Sequence, residues 1–361
     1  VRCQRPKAYR FRKGRGIKME VISEAEISML LDTFMYLDYR EAREGTSLKN
    51  VIKDLENHED YGGGGIHYGE YQILSKAVQN EQVGELTIHC QSGNMGYDSG
   101  TSACFFVSPD GEKVYVVYRG TGDGEWPDNG LGMTQSATIQ QERALSYFEA
   151  AAERLELSAE QRVVITGHSK GGNLAIYAAA TCERTLQDRI LKVCSMDGPG
   201  FEPNVLELAG YNRMLSRMIT YIPQNSVVGM LLEHREKYVV IRSMQEGFMQ
   251  HDVYSWEVFG PSLIHEEGIT DECRVLNASL KEWIDNMDYD QRRQFVNSLF
   301  DLLDECDAKT TDDLQNNWHK DIGRILTSIK KMDEANRKVI SQTILSLLKI
   351  TRKNVSNRSE D

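Results

Sequence analysis

The sequence has no run approaching the ~18 consecutive apolar residues of a membrane-spanning helix. It has no closely spaced cysteine pair either. Seven cysteines, at positions 3, 90, 104, 182, 194, 273 and 306, are odd in number and scattered. That excludes a tidy disulfide framework and a CxxC zinc site, and favours a reducing, cytoplasmic compartment. Basic surplus is also missing: 42 Lys and Arg stand against 54 Asp and Glu, for a net charge of −12. A phosphate-binding surface needs the opposite balance, so nucleic acid is not an expected partner. No internal repeat is present. What remains is an ordinary globular composition, 40% hydrophobic over 361 residues, enough for roughly two domains.

Residues 1–18 depart from the rest, with eight Arg or Lys and no acid. They lack the apolar core of a secretory signal. They read as a basic, disordered arm, or as upstream sequence ahead of a start at Met19. Helical spacing begins at Ser23, which stands three residues before Glu26 and ahead of Ile27, Leu30, Leu31 and Phe34 on one face. Leu48, Val51, Ile52 and Leu55 repeat that pattern. Gly62 to Gly65 follow, flanked by His58, Glu59, Asp60 and His67. Four glycines hold ligands poorly, so this stretch reads as a mobile loop or lid rather than a metal site.

From there the pattern alternates. Strands are expected at 86–91, 102–107 and 113–118, an alanine-rich helix at about 135–155, and a strand at 163–166. A helix at 172–181 and strands at 191–196, 218–222 and 238–241 complete the run. This predicts an α/β fold, a mostly parallel sheet covered by helices on both faces. Strand signals end near 270. Beyond, Leu276, Leu280, Trp283 and Ile284 share a helical face, and further faces follow around Phe295, Trp318 and Ile340. The expected organisation is a basic arm at 1–18, an α/β domain at 19–269 with N-terminal helices, and a helical appendage at 270–361. The appendage packs on the sheet or meets a protein partner.

The densest chemistry lies in Val163-Val164-Ile165-Thr166-Gly167-His168-Ser169-Lys170-Gly171-Gly172-Asn173-Leu174-Ala175. A G-x-S-x-G pattern alone is weak; here a β-branched strand leads into it and an alanine-rich helix leaves it. That setting holds the Ser169 hydroxyl clear of the sheet, with the Lys170 amide aimed at a developing oxyanion. The bland alternative is a structural glycine turn with an incidental serine. A serine hydroxyl needs a base to take its proton. His168 is turned away from its neighbour by strand alternation. His251, a short loop after strand 238–241, is positioned to reach back over the sheet edge. A second oxyanion donor is expected after strand 113–118, at Thr121 in Tyr118-Arg119-Gly120-Thr121.

At these residues the chain resembles a known group. Val117-Tyr118-Arg119-Gly120-Thr121, with Trp126 and Asp128 behind it, resembles the strand end of class 3 lipases. Together with Gly167-His168-Ser169-Lys170-Gly171-Gly172-Asn173 it is similar to a bacterial family of lipase-like α/β hydrolases, over roughly residues 20–350. The resemblance implies an α/β-hydrolase fold with Ser169 as nucleophile, His251 as base and Thr121 as oxyanion donor. Two positions depart from it. Lys170 stands where class 3 lipases usually carry leucine, and would attract an anionic head group or snorkel its charged end to solvent. Ser226 stands where those lipases carry their acid.

The third member of a triad must therefore come from elsewhere. Ser226 cannot bear the charge, and Asp252 adjoins His251, where neighbouring side chains diverge. Asp197 ends the strand after the nucleophile's, in Met196-Asp197-Gly198-Pro199-Gly200, the place where pancreatic-type lipases carry their acid. The alternative role for Asp197 is a cap on the turn at Gly198-Pro199. Two function classes follow. One is a serine hydrolase acting on lipid-like or other apolar esters, with no metal or organic cofactor. The other is a non-catalytic α/β-hydrolase scaffold that binds a partner through its C-terminal helices.

Overall fold

The computed structural model describes residues 21–56, 58–61, 67–97, 102–120, 138–246, 250–260 and 262–286. The basic arm, the four-glycine stretch and the helical faces beyond residue 286 lie outside them. So do Thr121, Trp126 and Asp128.

Three helices come first: α1 (Glu24–Phe34), α2 (Leu48–Asp54) and α3 (Tyr68–Ala77). Ser23 caps α1, its hydroxyl accepting from the Glu26 amide at 3.2 Å. An antiparallel edge follows, β1 (Thr87–His89) against β2 (Ala103–Val107), and β2 turns back through Ser108–Gly111 into β3 (Lys113–Tyr118). Helix α4 (Ile139–Arg154) begins at a reciprocal cap. The Thr138 hydroxyl accepts from the Gln141 amide, and the Gln141 side chain accepts from the Thr138 amide. Then come β4 (Arg162–His168), α5 (Lys170–Thr181), β5 (Ile190–Met196), α6 (Ala209–Met214), β6 (Met218–Pro223) and β7 (Lys237–Ile241). A two-stranded hairpin, β8 (Val258–Phe259) and β9 (Ser262–Leu263), precedes β10 (His265–Glu266) and α7 (Asp271–Asp285).

The main sheet runs β1-β2-β3-β4-β5-β6-β7-β10. Its five central strands, β3 to β7, are parallel, and both edges are antiparallel. Such a sheet must be buried on both faces, and the strand alternation divides its side chains accordingly. Val114, Val116, Tyr118, Val163, Ile165 and Val193 pack with α4 and α5. Tyr115, Val117, Val164, Cys194 and Met196 pack on the other face with α1 to α3. Residues 114–118 of β3 and 163–166 of β4 are 0–2% exposed on both faces, which explains the unbroken β-branched runs of those two strands.

One expectation changes. The spacing of Ile27, Leu30, Leu31 and Phe34 implies one apolar face on α1, yet every residue from Ala25 to Phe34 is buried. The helix lies between the sheet and the other N-terminal elements, so its polar side is enclosed too. Ser28, Asp32 and Thr33 are each 0–1% exposed. That polar side matters below.

Candidate active site

The site forms at the carboxyl ends of the central strands. His168 closes β4 opposite Met196 of β5, so Ser169 and Asp197 leave the sheet side by side. The Ser169 amide donates to the Met196 carbonyl at 2.8 Å, and the Asp197 amide to the Tyr221 carbonyl at 2.7 Å. Both residues turn sharply there. Ser169 has φ 56° and ψ −127°, and Asp197 has φ 50°. A side chain in that region costs about 1–3 kcal/mol, and such strain gathers where a group must be held in one place. The turn can be this tight because Gly167 and Gly171 carry nothing. A Cβ on Gly167 would stand 2.2 Å from the Gly171 carbonyl, and one on Gly171 2.1 Å from the Tyr118 carbonyl oxygen. The Ser169 elbow is thereby pressed against the end of β3.

His251 lies on the loop after β7, buried against this corner. Its Nδ1 is 2.7 Å from Oδ2 of Asp197. The other carboxylate oxygen, Oδ1, accepts from the Ser226 hydroxyl at 2.5 Å and the Gly229 amide at 3.2 Å. Burial pulls the His251 imidazole towards its neutral form. The hydrogen bond and charge of Asp197, helped by Asp252, outweigh it and raise His251 above the ordinary histidine range. The loop itself is pinned by buried Trp256, whose indole donates to the Gln250 carbonyl at 2.9 Å. Gln250 in turn accepts from the Asn225 amide at 2.9 Å.

The acid side is braced from two directions. Asn173, in the first turns of α5, donates to the carbonyls of Pro199 and Gly200 at 3.2 and 2.8 Å, holding the turn after Asp197. Gln141 at the start of α4 donates to Asn173 at 2.6 Å. From the other side, Cys273 of α7 donates to the Ser226 carbonyl at 3.1 Å. Just before α7, the Thr270 amide donates to the Gln224 carbonyl at 3.0 Å. The first described helix of the C-terminal region thus touches the loop that carries Ser226.

Among the expected site residues, the structure brings Ser169, Lys170, Asp197 and His251 to one corner. The position of Thr121 lies outside the described residues, although Gly120, its predecessor, reaches the corner: a Cβ there would meet that of Ser169 at 3.3 Å. Lys170 is 8% exposed, in the enclosed first turn of α5. Ser226 was legible only as a missing acid, whereas its hydroxyl is a donor to Asp197. Asp252 does not take the ring nitrogen that Asp197 holds. Among the described residues, no group of three or more His, Cys, Asp or Glu could hold a metal ion, and no helix is long and apolar enough to cross a membrane.

A family model described as Mbeg1-like matches residues 79–301. No curated protein matches the chain. Similar solved structures include the native Rhizomucor miehei lipase propeptide complex, at 13% identity and a TM-score of 0.39, covering 62% of this chain and 68% of that one. A lipase from Rhizopus microsporus var. chinensis is similar at 13% identity and a TM-score of 0.33, covering 48% and 65%. A fungal lipase is similar at 12% and 0.38, covering 69% and 88%. At these values the likenesses assign no residue, and the corner is read from its own geometry.

Proposed function

We propose that this chain, which belongs to the Mbeg1-like family, is a serine hydrolase that cleaves lipid-like or other apolar esters through an acyl-enzyme. The observation that carries the proposal is the 2.7 Å bond between Asp197 and His251 next to a serine held at φ 56°. Asp197 keeps the His251 proton on Nδ1 and leaves Nε2 to accept. Ser169 Oγ attacks the ester carbonyl carbon while its proton passes to His251 Nε2. The carbonyl oxygen becomes an oxyanion, for which the Lys170 and Thr121 amides are the proposed donors. Collapse breaks the ester C–O bond, and the departing alkoxide takes the proton from Nε2. Water then repeats the sequence on the acyl-serine, releasing the acid and restoring Ser169.

The buried pair also argues against the scaffold reading. A non-catalytic surface has no use for a strained serine beside a histidine–carboxylate pair. The experiment is hydrolysis of a p-nitrophenyl ester series of increasing acyl length by the full chain. Turnover is expected with wild type and not with Ser169→Ala, and the chain-length optimum reads the acyl preference. Equal turnover by both proteins would refute the proposal.

A further inference from the structure

The Tyr36 hydroxyl lies where three chain segments meet. Tyr36 follows the end of α1, and its oxygen is 2.7 Å from Nδ1 of His168. Nε2 of the same imidazole is 2.9 Å from the backbone carbonyl oxygen of His251. The Gly120 backbone passes close against the same oxygen. That approach is possible only because position 120 is glycine. A Cβ there would stand 2.3 Å from the Tyr36 oxygen and 2.8 Å from the His168 carbonyl oxygen.

Donor and acceptor chemistry then fixes the protons. A carbonyl oxygen only accepts, so His168 Nε2 carries a hydrogen. Burial, with the His251 ring centred 4.5 Å away, holds His168 well below the ordinary histidine range despite its bond to that carbonyl. It is therefore neutral, with a single N–H. Nδ1 must accept, and Tyr36, itself kept protonated by burial, must donate to it.

We infer that Tyr36 and His168 are positioning residues, which hold the His251 main chain in register with the Ser169 elbow and the Gly120 backbone. His168 precedes Ser169, so the hydroxyl and the imidazole it donates to tie the Gly120 backbone to the segments bearing the nucleophile and the base. The end of α1 is matched to the strand for this. Asp32 near the end of α1 and Tyr36 just beyond it meet two residues of β4 that point to the same face, Thr166 and His168. Thr166 donates to Asp32 at 2.8 Å, one rung below the Tyr36–His168 pair. The kinetic consequence rests on the hydrolase reading above; the hydrogen-bond pattern does not.

The test joins two measurements on the full chain: 15N spectra of labelled histidine, and the rate at which a fluorophosphonate modifies Ser169. Wild type is expected to show His168 with a pyrrole-type Nε2 and a pyridine-type Nδ1. Tyr36→Phe keeps the ring but loses the donor, and is expected to slow modification ~10- to 100-fold with little change in reversible affinity for the probe. Small displacements of a catalytic group cost rate in this range. His168→Leu is expected to slow as much or more. His168→Gln, whose amide can donate to the His251 carbonyl, is expected to recover most of that loss. An Nδ1–H tautomer in wild type overturns the inference, whether or not any variant folds. So does wild-type modification rate in Tyr36→Phe or His168→Leu. A wild type with the expected tautomer but no modification of Ser169 overturns the hydrolase reading, and the kinetic claim with it.

Discussion

Among the described residues, two histidine–carboxylate pairs combine a buried carboxylate with an Nδ1-to-oxygen distance of 2.7 Å: His251 with Asp197, and the half-buried His234 with Glu236. Distance does not distinguish them; place and remaining partners do. Asp197 ends β5 beside Ser169, at the carboxyl edge where parallel sheets assemble their sites. Glu236 immediately precedes β7, at the opposite end of that strand. It accepts from His234, from the Thr220 and Tyr211 hydroxyls at 2.6 Å each, and from the Arg235 amide at 3.2 Å. Burial alone would raise Glu236, but these donors, His234 foremost, bring it down to about 2. Its carboxylate is saturated by the fold. A histidine held by a carboxylate is therefore a local solution to burying charge, and becomes a candidate site only where a strained nucleophile stands next to it.

Exchanging each carboxylate for its amide should separate the two pairs. Asp197→Asn also breaks a buried pair but is expected to stay folded, and to lower ester turnover by up to ~10⁴, because the amide favours the wrong imidazole tautomer. Glu236→Gln should cost stability alone. Breaking a buried, hydrogen-bonded pair costs about 3 kcal/mol, a fall in Tm on the order of 5–10 °C, while turnover per folded molecule stays near wild type. If Glu236→Gln abolished turnover at a temperature where the protein is folded, the comparison would fail.

Acid sharpens the same contrast more gently. His251 must be neutral to accept a proton, and its environment raises it above the ordinary value, so turnover should fall as pH drops through a point above ~6.5. Glu236 is depressed in the folded state. Its contribution to stability is complete above the unfolded value of ~4.3 and is lost as pH falls from there towards about 2. Activity is thus expected to disappear in a pH range where the Glu236 cluster still supports the fold. A pH–rate profile beside a pH series of melting curves measures both; loss of activity only together with loss of structure would contradict the assignment.

The residues that local pattern could reach are those whose surroundings are local. The β4 strand, the Ser169 turn and the α5 helix are consecutive in sequence, and strand order alone puts Asp197 next to Ser169 once β5 follows β4. The helix starts two residues earlier than expected, at Lys170 rather than Gly172, because Gly171 lies inside it. Other features depend on pairings without a local signal. Tyr36 and His168 are 132 positions apart, and Ser226 and Asp197 are 29. Nothing in the spacing of α1 shows that its polar side would meet the polar side of β4. Ser226 is instructive in another way: read as a replaced acid, it looks like a loss, whereas in the fold it donates to the acid that stands one strand away.

The most direct measurement is modification of the folded full chain by a fluorophosphonate, with the adduct located by peptide mass spectrometry. The account predicts a single adduct on Ser169, absent from Ser169→Ala and formed far more slowly in Asp197→Asn. A folded wild type that takes no adduct, or takes it on another serine, would contradict it.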